Sequence, residues 1–172
     1  DGFLSGNAPN DYALGGAVAA DLVGYTDVRD LSSEANNYLA GQPVDQVTVM
    51  FAATGLVLTV ATVLTAGSAL PAKAGMTTVK IARKLGRLSR GLMDDIATMA
   101  RKAVNTDALA DLGRMAKSFD LPGAKAAALR VVRPDAVAAL RTLGDDVAAI
   151  GTKSGPRGAL AALGKADNAA DV

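Results

Sequence analysis

One stretch decides how this chain folds: Val47–Leu70, which reads VTVMFAATGLVLTVATVLTAGSAL. Its 24 residues carry no charge. As a single helix it would be about 36 Å long, at about 1.5 Å per residue. The hydrocarbon core of a bilayer is about 30 Å thick, so a helix of this length can span it with some tilt. The stretch is therefore predicted to be a transmembrane helix.

Two other interpretations of the same stretch stay open. Five threonines, two glycines and Ser68 dilute its apolar character, and a strongly apolar residue favours insertion by only about 0.3 to 0.6 kcal/mol. The stretch is then either the central buried helix of a helical bundle or a hairpin broken at Ala66-Gly67-Ser68.

A row of small side chains follows one face of this predicted helix. Its members recur at alternating steps of four and three residues, and they are Thr48, Ala52, Gly55, Thr59, Thr62 and Ala66. Small residues at this spacing let another helix backbone approach closely. We interpret the row as a helix-packing face for a second copy or another membrane subunit. The alternative is that an Ala/Thr-rich helix acquires such a row by chance.

The composition predicts an all-α fold and narrows the chemistry. Apolar residues make up 50% of the chain but aromatic residues only 3%, so a core would consist of Ala, Leu and Val, and no sustained strand-like alternation occurs. The chain has no Cys and no His, which excludes disulfides, thiolate metal sites and the commonest general base. We therefore predict no catalytic residues, no cofactor and no metal site.

Charge is distributed unevenly along the chain. Residues 1–45 carry a net charge of −6 and residues 46–102 a net charge of +6. The first bases after the apolar stretch lie in the zone counted by the positive-inside rule; they are Lys73, Lys80, Arg83, Lys84, Arg87 and Arg90. This predicts an inner-membrane protein whose C-terminal part is cytoplasmic and whose bases contact anionic lipid head groups. Nucleic acid is not an expected partner, because no aromatic side chains are interleaved for base stacking.

The remaining sequence predicts short helices around the apolar one. We expect a short packed helix over Tyr12–Tyr25, a helix from Thr26-Asp27 to a stop at Gly41, and a basic amphipathic helix over Thr77–Leu88. Ser89 and Thr106 are predicted helix caps, Asp120–Pro122 and Arg133–Asp135 helix starts, and Gly151 and Gly164 stops. The predicted organisation is an acidic helical segment (1–43), the apolar helix (44–72), basic amphipathic helices (73–104) and a small helical-hairpin domain (105–172).

Two weak motifs and the N-terminal residues complete the sequence features. Gly151–Gly155 contains residue types of a phosphate-binding loop but in the wrong order, and Asp107 and Asp111 alone are weak ligands for a cation. The first residues lack the basic segment and apolar core of a signal peptide. We therefore expect either that an N-terminal part has been removed or that the chain is a fragment.

The order of features resembles that of known bacterial proteins. The resemblance covers Gly16–Leu92 and rests on three short motifs, which are Asp27-Val28-Arg29-Asp30, Tyr38-Leu39-Ala40-Gly41 and Pro71-Ala72-Lys73-Ala74-Gly75. The layout is similar to uncharacterised bacterial membrane-associated proteins and to the hydrophobic pre-toxin hairpins of secreted polymorphic toxins. The resemblance implies membrane contact and no reaction.

Three functions follow from these observations. The leading hypothesis is a non-enzymatic, membrane-anchored helical protein that serves as an accessory or assembly subunit of a larger membrane complex. The second is a membrane-inserting or translocation segment of a toxin-like protein. The third is a soluble all-α interaction domain in which the apolar stretch is buried.

Overall fold

The computed structural model describes residues 25–118 and 120–172, which form helices and no strand; Val104 and Val132 share a single β-bridge. The all-α prediction is confirmed. The short helix expected over Tyr12–Tyr25 lies outside the described residues, except for Tyr25, the first of them, which begins α1. In chain order the helices are α1 (Tyr25–Leu39), α2 (Gln46–Leu64), α3 (Leu70–Lys84), α4 (Arg90–Ala103), α5 (Thr106–Lys117), α6 (Leu121–Ala128) and α7 (Pro134–Leu163), followed by a 3-10 turn, Ala169–Asp171.

The apolar stretch forms two helices and not one. α2 ends at Leu64, and the chain turns where Ala66 (φ 49°) and Gly67 (φ 97°) adopt left-handed backbone conformations. The Gly67 N–H donates to the Thr62 carbonyl at 2.8 Å, which closes the helix end in the manner of a Schellman motif. Among the described residues, no helix has both the length and the apolar content that crossing a membrane requires. The predicted transmembrane helix is therefore wrong, and the break lies where the hairpin alternative put it.

α2 is the centre of the bundle at its N-terminal end. All residues from Val49 to Gly55 are buried, so this part of the helix is enclosed on every side by α1, α3 and α4. A helix that is apolar all round is expected to be buried in this way when it does not face lipid. Its C-terminal half is only partly covered, and the Leu64 side chain is 80% exposed.

Several predicted helix ends are confirmed and others move. Ser89 caps α4 by accepting a hydrogen bond from the Leu92 N–H at 3.1 Å, and Gly41 follows α1 with φ 69°. The predicted starts near Pro122 and Pro134 and the stop at Gly164 are also observed. Asn105, and not Thr106, caps α5. Gly151 does not stop α7, which continues to Leu163 across a kink at Gly155-Pro156.

α3 and α7 pack against each other and so join the two halves of the chain. Their contact is the most extensive between any two described helices. At its centre a Cβ atom added to Gly75 would overlap the Gly144 carbonyl, and one added to Gly144 would overlap the Ala72 carbonyl. Only glycine permits so close a backbone approach. α7 thus packs on α3 and not with α5 and α6 as the predicted hairpin domain required, and the predicted boundary at residues 72 and 73 falls inside α3.

Replacing Gly75 with alanine should destabilise the fold. The new methyl group meets backbone and cannot be relieved by a rotamer change, so we expect the free energy of unfolding to fall by about 3 kcal/mol. Gly151→Ala is the matched control, because the nearest atom to its new Cβ would be 3.9 Å away and alanine favours a helix by up to about 1 kcal/mol. Chemical denaturation followed by circular dichroism measures both. Equal stabilities of the two variants would contradict the close contact.

Candidate functional site: a buried charge cluster and an apolar groove

A buried charge cluster joins α1 to α3. Lys73 Nζ donates to Asp27 Oδ2 at 3.1 Å, and Lys80 Nζ donates to Asp27 Oδ1 at 2.6 Å. The two lysines are seven residues apart and so project from the same face of α3. All three residues are buried, and Lys73 is only 1% exposed. We call Asp27, Lys73 and Lys80 the Asp27 cluster.

Gly55 of α2 completes the surroundings of this cluster. Its carbonyl oxygen accepts a second hydrogen bond from Lys73 Nζ, at 3.1 Å. A Cβ atom at this position would overlap the Asp27 carboxylate, so only glycine lets α2 lie against the ion pair. Buried charges are tolerated only when they are paired and hydrogen-bonded. The cluster therefore fixes how α1, α2 and α3 pack against one another.

Two of the six bases predicted to contact lipid head groups are used inside the molecule. Lys73 and Lys80 are buried on Asp27, which rules out the surface role predicted for them. Arg83 is half-buried and pairs with Asp45. Lys84, Arg87 and Arg90 are exposed, and Lys84 lies 3.9 Å from Asp30. The predicted basic surface is reduced to these three residues.

The predicted helix-packing face is likewise divided among internal roles. Ala52 and Gly55 are buried within the bundle, and Thr48 belongs to the Asp45 ion pair. The hydroxyl groups of Thr59 and Thr62 donate to carbonyls of their own helix, Gly55 and Leu58, at 2.8 and 2.7 Å. Ala66 lies in the turn after α2 and is exposed. The face therefore does not form one continuous surface for a partner helix.

A second, half-buried ion pair closes the start of α2. Asp45 caps the helix by accepting hydrogen bonds from the Val47 and Thr48 N–H groups, both at 3.1 Å, and it pairs with Arg83 of α3. Burial raises the pKa of the Asp45 carboxyl. The hydrogen bonds from Arg83 and Thr48 and the charge of Arg83 outweigh burial, so that the net pKa lies below its ordinary value of 3.8. The charged form is thus stabilised by folding.

An apolar groove opens on the side of the bundle formed by α1, α2, α5 and α6. It has a volume of about 530 Å³ and is half-enclosed. Its larger apolar side chains are Val28, Leu31, Leu56, Val60, Leu112 and Leu129. Ser32 and Thr59 are its polar members, and three alanines complete it, Ala116, Ala124 and Ala128. Val28 is 54% exposed and Leu129 42% exposed, so the groove presents an apolar surface to its surroundings.

Neither weak motif of the sequence forms a site. Gly151–Gly155 lies within α7 and its kink, with no strand before it. Asp111 pairs with Arg114 on the surface of α5. No group of three or more Asp, Glu, His or Cys that could hold a metal ion occurs among the residues that the structure describes.

The Asp27 cluster is the feature that sequence reasoning missed. The sequence predicts only a helix start at Thr26-Asp27, because nothing near Asp27 in sequence indicates a buried role. The signal that could have found it is the uneven charge, because Asp27 and Asp45, which precede the apolar stretch, pair with bases that follow it. Comparisons of the chain with protein-family models, curated proteins and solved structures found no match.

Replacing Asp27 with asparagine should be strongly destabilising. The change removes the carboxylate that both buried ammonium groups contact, and breaking a buried pair in this way costs about 3–5 kcal/mol. Asp107→Asn, on the exposed surface of α5, is the matched control and should change stability by less than about 0.5 kcal/mol. The double variant Asp27→Asn/Lys73→Met should lose less than the sum of the two single variants, as a double-mutant cycle would measure. Strict additivity would contradict the pairing.

Asp45 should make part of the stability depend on pH. Because folding lowers its pKa, its contribution is complete above the ordinary value and is lost as the pH falls through the folded-state value. We expect Asp45→Asn, which keeps a good capping side chain, to lose less stability than the parent chain between neutral pH and about pH 3. Arg83→Met should have the same effect. Parallel curves of unfolding free energy against pH for parent and variants would rule out this contribution.

Proposed function

We propose that this chain is a non-enzymatic helical docking domain, which assembles with a partner protein by accepting an amphipathic helix in its apolar groove. The observation that carries the proposal is the groove itself, an apolar surface with contributions from four helices. The proposal keeps the assembly role expected from the sequence and drops the membrane-spanning anchor.

The shape and lining of the groove favour a helix as its occupant. Helix-in-groove recognition places apolar side chains at positions i, i+3, i+4 and i+7 into an apolar cleft. The groove has aliphatic walls, with only two hydroxyl-bearing side chains among its lining residues, Ser32 and Thr59. The Thr59 hydroxyl already donates to the Gly55 carbonyl, so it does not need a partner from an occupant. Such a lining suits the apolar face of a helix better than a polar ligand.

The surroundings of the charged groups support docking over catalysis. The chain has no His and no Cys, the residues most often used as base or nucleophile. The most deeply buried charged groups, those of the Asp27 cluster, contact one another and the Gly55 carbonyl. They serve the packing of three helices.

A second candidate function is favoured by the turn between α2 and α3. Leu64 is 80% exposed there, Leu70 is 43% exposed, and the chain has no charged residue from 46 to 72. This supports contact of the turn with a membrane, as in the pre-toxin hairpins that the sequence resembles. The exposed Arg87 and Arg90 follow the opposite end of α3, about 22 Å along that helix, so they do not flank the turn.

Two matched leucine variants separate these functions. Leu129→Asp places a charge at the edge of the groove, and Leu64→Asp places one at the turn; both positions are exposed. The full chain is titrated into a fluorescent amphipathic model helix that has Leu and Ala on one face and equal numbers of Glu and Lys on the other. We expect saturable binding that Leu129→Asp weakens by about tenfold, equivalent to about 1.4 kcal/mol, and that Leu64→Asp leaves unchanged.

Flotation with phosphatidylglycerol/phosphatidylcholine vesicles completes the test. Vesicle binding that only Leu64→Asp abolishes would favour the membrane candidate. If the model helix does not bind, or if both variants weaken it equally, the docking function is wrong.

A further inference from the structure

We infer that the partner helix of the apolar groove is acidic on its polar face. This inference rests on the proposed docking function and adds the chemical class of the partner.

One wall of the groove has exposed bases beside it. Lys117 directly follows Ala116, which lines the groove, and Arg130 directly follows Leu129. Both side chains are exposed, and neither forms an ion pair with another described residue. A bound helix therefore lies beside two cationic side chains that no described residue neutralises.

The acids near this wall do not offset these bases. Between residues 116 and 130 the chain has three bases and one acid, Asp120. The Asp120 carboxylate accepts a hydrogen bond from the Gly123 N–H at 3.0 Å and so interacts with the start of α6. Asp111, on the preceding turns of α5, is paired with Arg114. Bases therefore outnumber acids in this segment of the chain.

The α2 wall has no charge to contribute. On the α1 wall, Arg29 and Asp30 pair with each other at 2.8 Å, and Glu34 accepts a hydrogen bond from the Asp45 N–H at 2.9 Å. α2 supplies Leu56, Thr59 and Val60, and no residue from 46 to 72 is charged. At the α5–α6 edge, where bases outnumber acids, a basic helix would be repelled on balance, whereas an acidic one would be attracted there and lose nothing at α2. Complementary charge at the rim of an interface selects partners and register more than it adds raw affinity. The groove thus fits a helix with Leu- and Ala-sized apolar residues on one face and Asp or Glu on the other.

The test compares three fluorescent model helices that share one apolar face and differ in their polar face, which is acidic, balanced or basic. Binding to the full chain is measured by fluorescence anisotropy at low and high salt. We expect the acidic helix to bind about fivefold more tightly than the balanced one, the basic helix to bind most weakly, and the differences to shrink at high salt because screening weakens exposed ion pairs.

Charge reversal provides the matched variants. Lys117→Glu/Arg130→Glu should reverse the order of the three helices, whereas Arg101→Glu/Lys102→Glu, which reverses one exposed arginine and one exposed lysine on α4, should preserve it. Equal binding of all three helices, unaffected by either reversal, would overturn the acidic partner and leave the docking function intact. Absence of binding by any helix would overturn both.

Sedimentation of the full chain tests the competing occupant of the groove. A monomer supports a partner helix. A dimer that Leu129→Asp dissociates would overturn the inference by assigning the groove to a second copy of the chain.

Discussion

The packing of the first three helices depends on one carboxylate. Asp27 is buried between two lysines of α3 and lies against the backbone of Gly55 in α2. An unpaired charge at this position would cost several kcal/mol. The packing of each of the three helices therefore depends on the other two. A buried ion pair of this kind is better understood as a constraint on register than as a source of stability. Through it, folding brings an acid that precedes the apolar stretch together with two bases that follow it.

The two halves of the uncharged helix α2 lie in different environments. Its N-terminal half is enclosed by the other helices, while its C-terminal half forms one wall of the apolar groove and ends at the exposed Leu64. A helix with an apolar stripe would bury that stripe and expose the rest. α2 has no charged side chain to expose, so the part that the bundle leaves uncovered remains mostly apolar. The groove is a direct result of this composition.

The sequence was sufficient for the fold class and for much of the local structure. Ser89 and Gly41 mark helix ends by local chemistry, and they lie where the pattern predicts. The prediction of a transmembrane helix was wrong because the length of an uncharged stretch does not reveal a turn within it. Here the turn uses Ala66, which adopts a left-handed backbone conformation that glycine usually provides. The burial of Lys73 could not be predicted, because its partner is 46 residues away and helical spacing carries no information about such a distance. The groove was missed for the same reason, since its walls come from residues between 28 and 129.

The contact between Gly75 and Gly144 has a consequence for recognising distant relatives. In a chain rich in Ala, Leu and Val, most positions tolerate exchange among these residues when the total volume is kept, so overall similarity decays quickly while the fold persists. The two glycines cannot exchange in this way, since a Cβ atom on either one would overlap a backbone carbonyl of the other helix. Gly55 is restricted in a comparable way, because a Cβ atom there would overlap the buried Asp27 carboxylate. A relative should therefore be identifiable from this small set of spaced positions even where the intervening sequence has diverged.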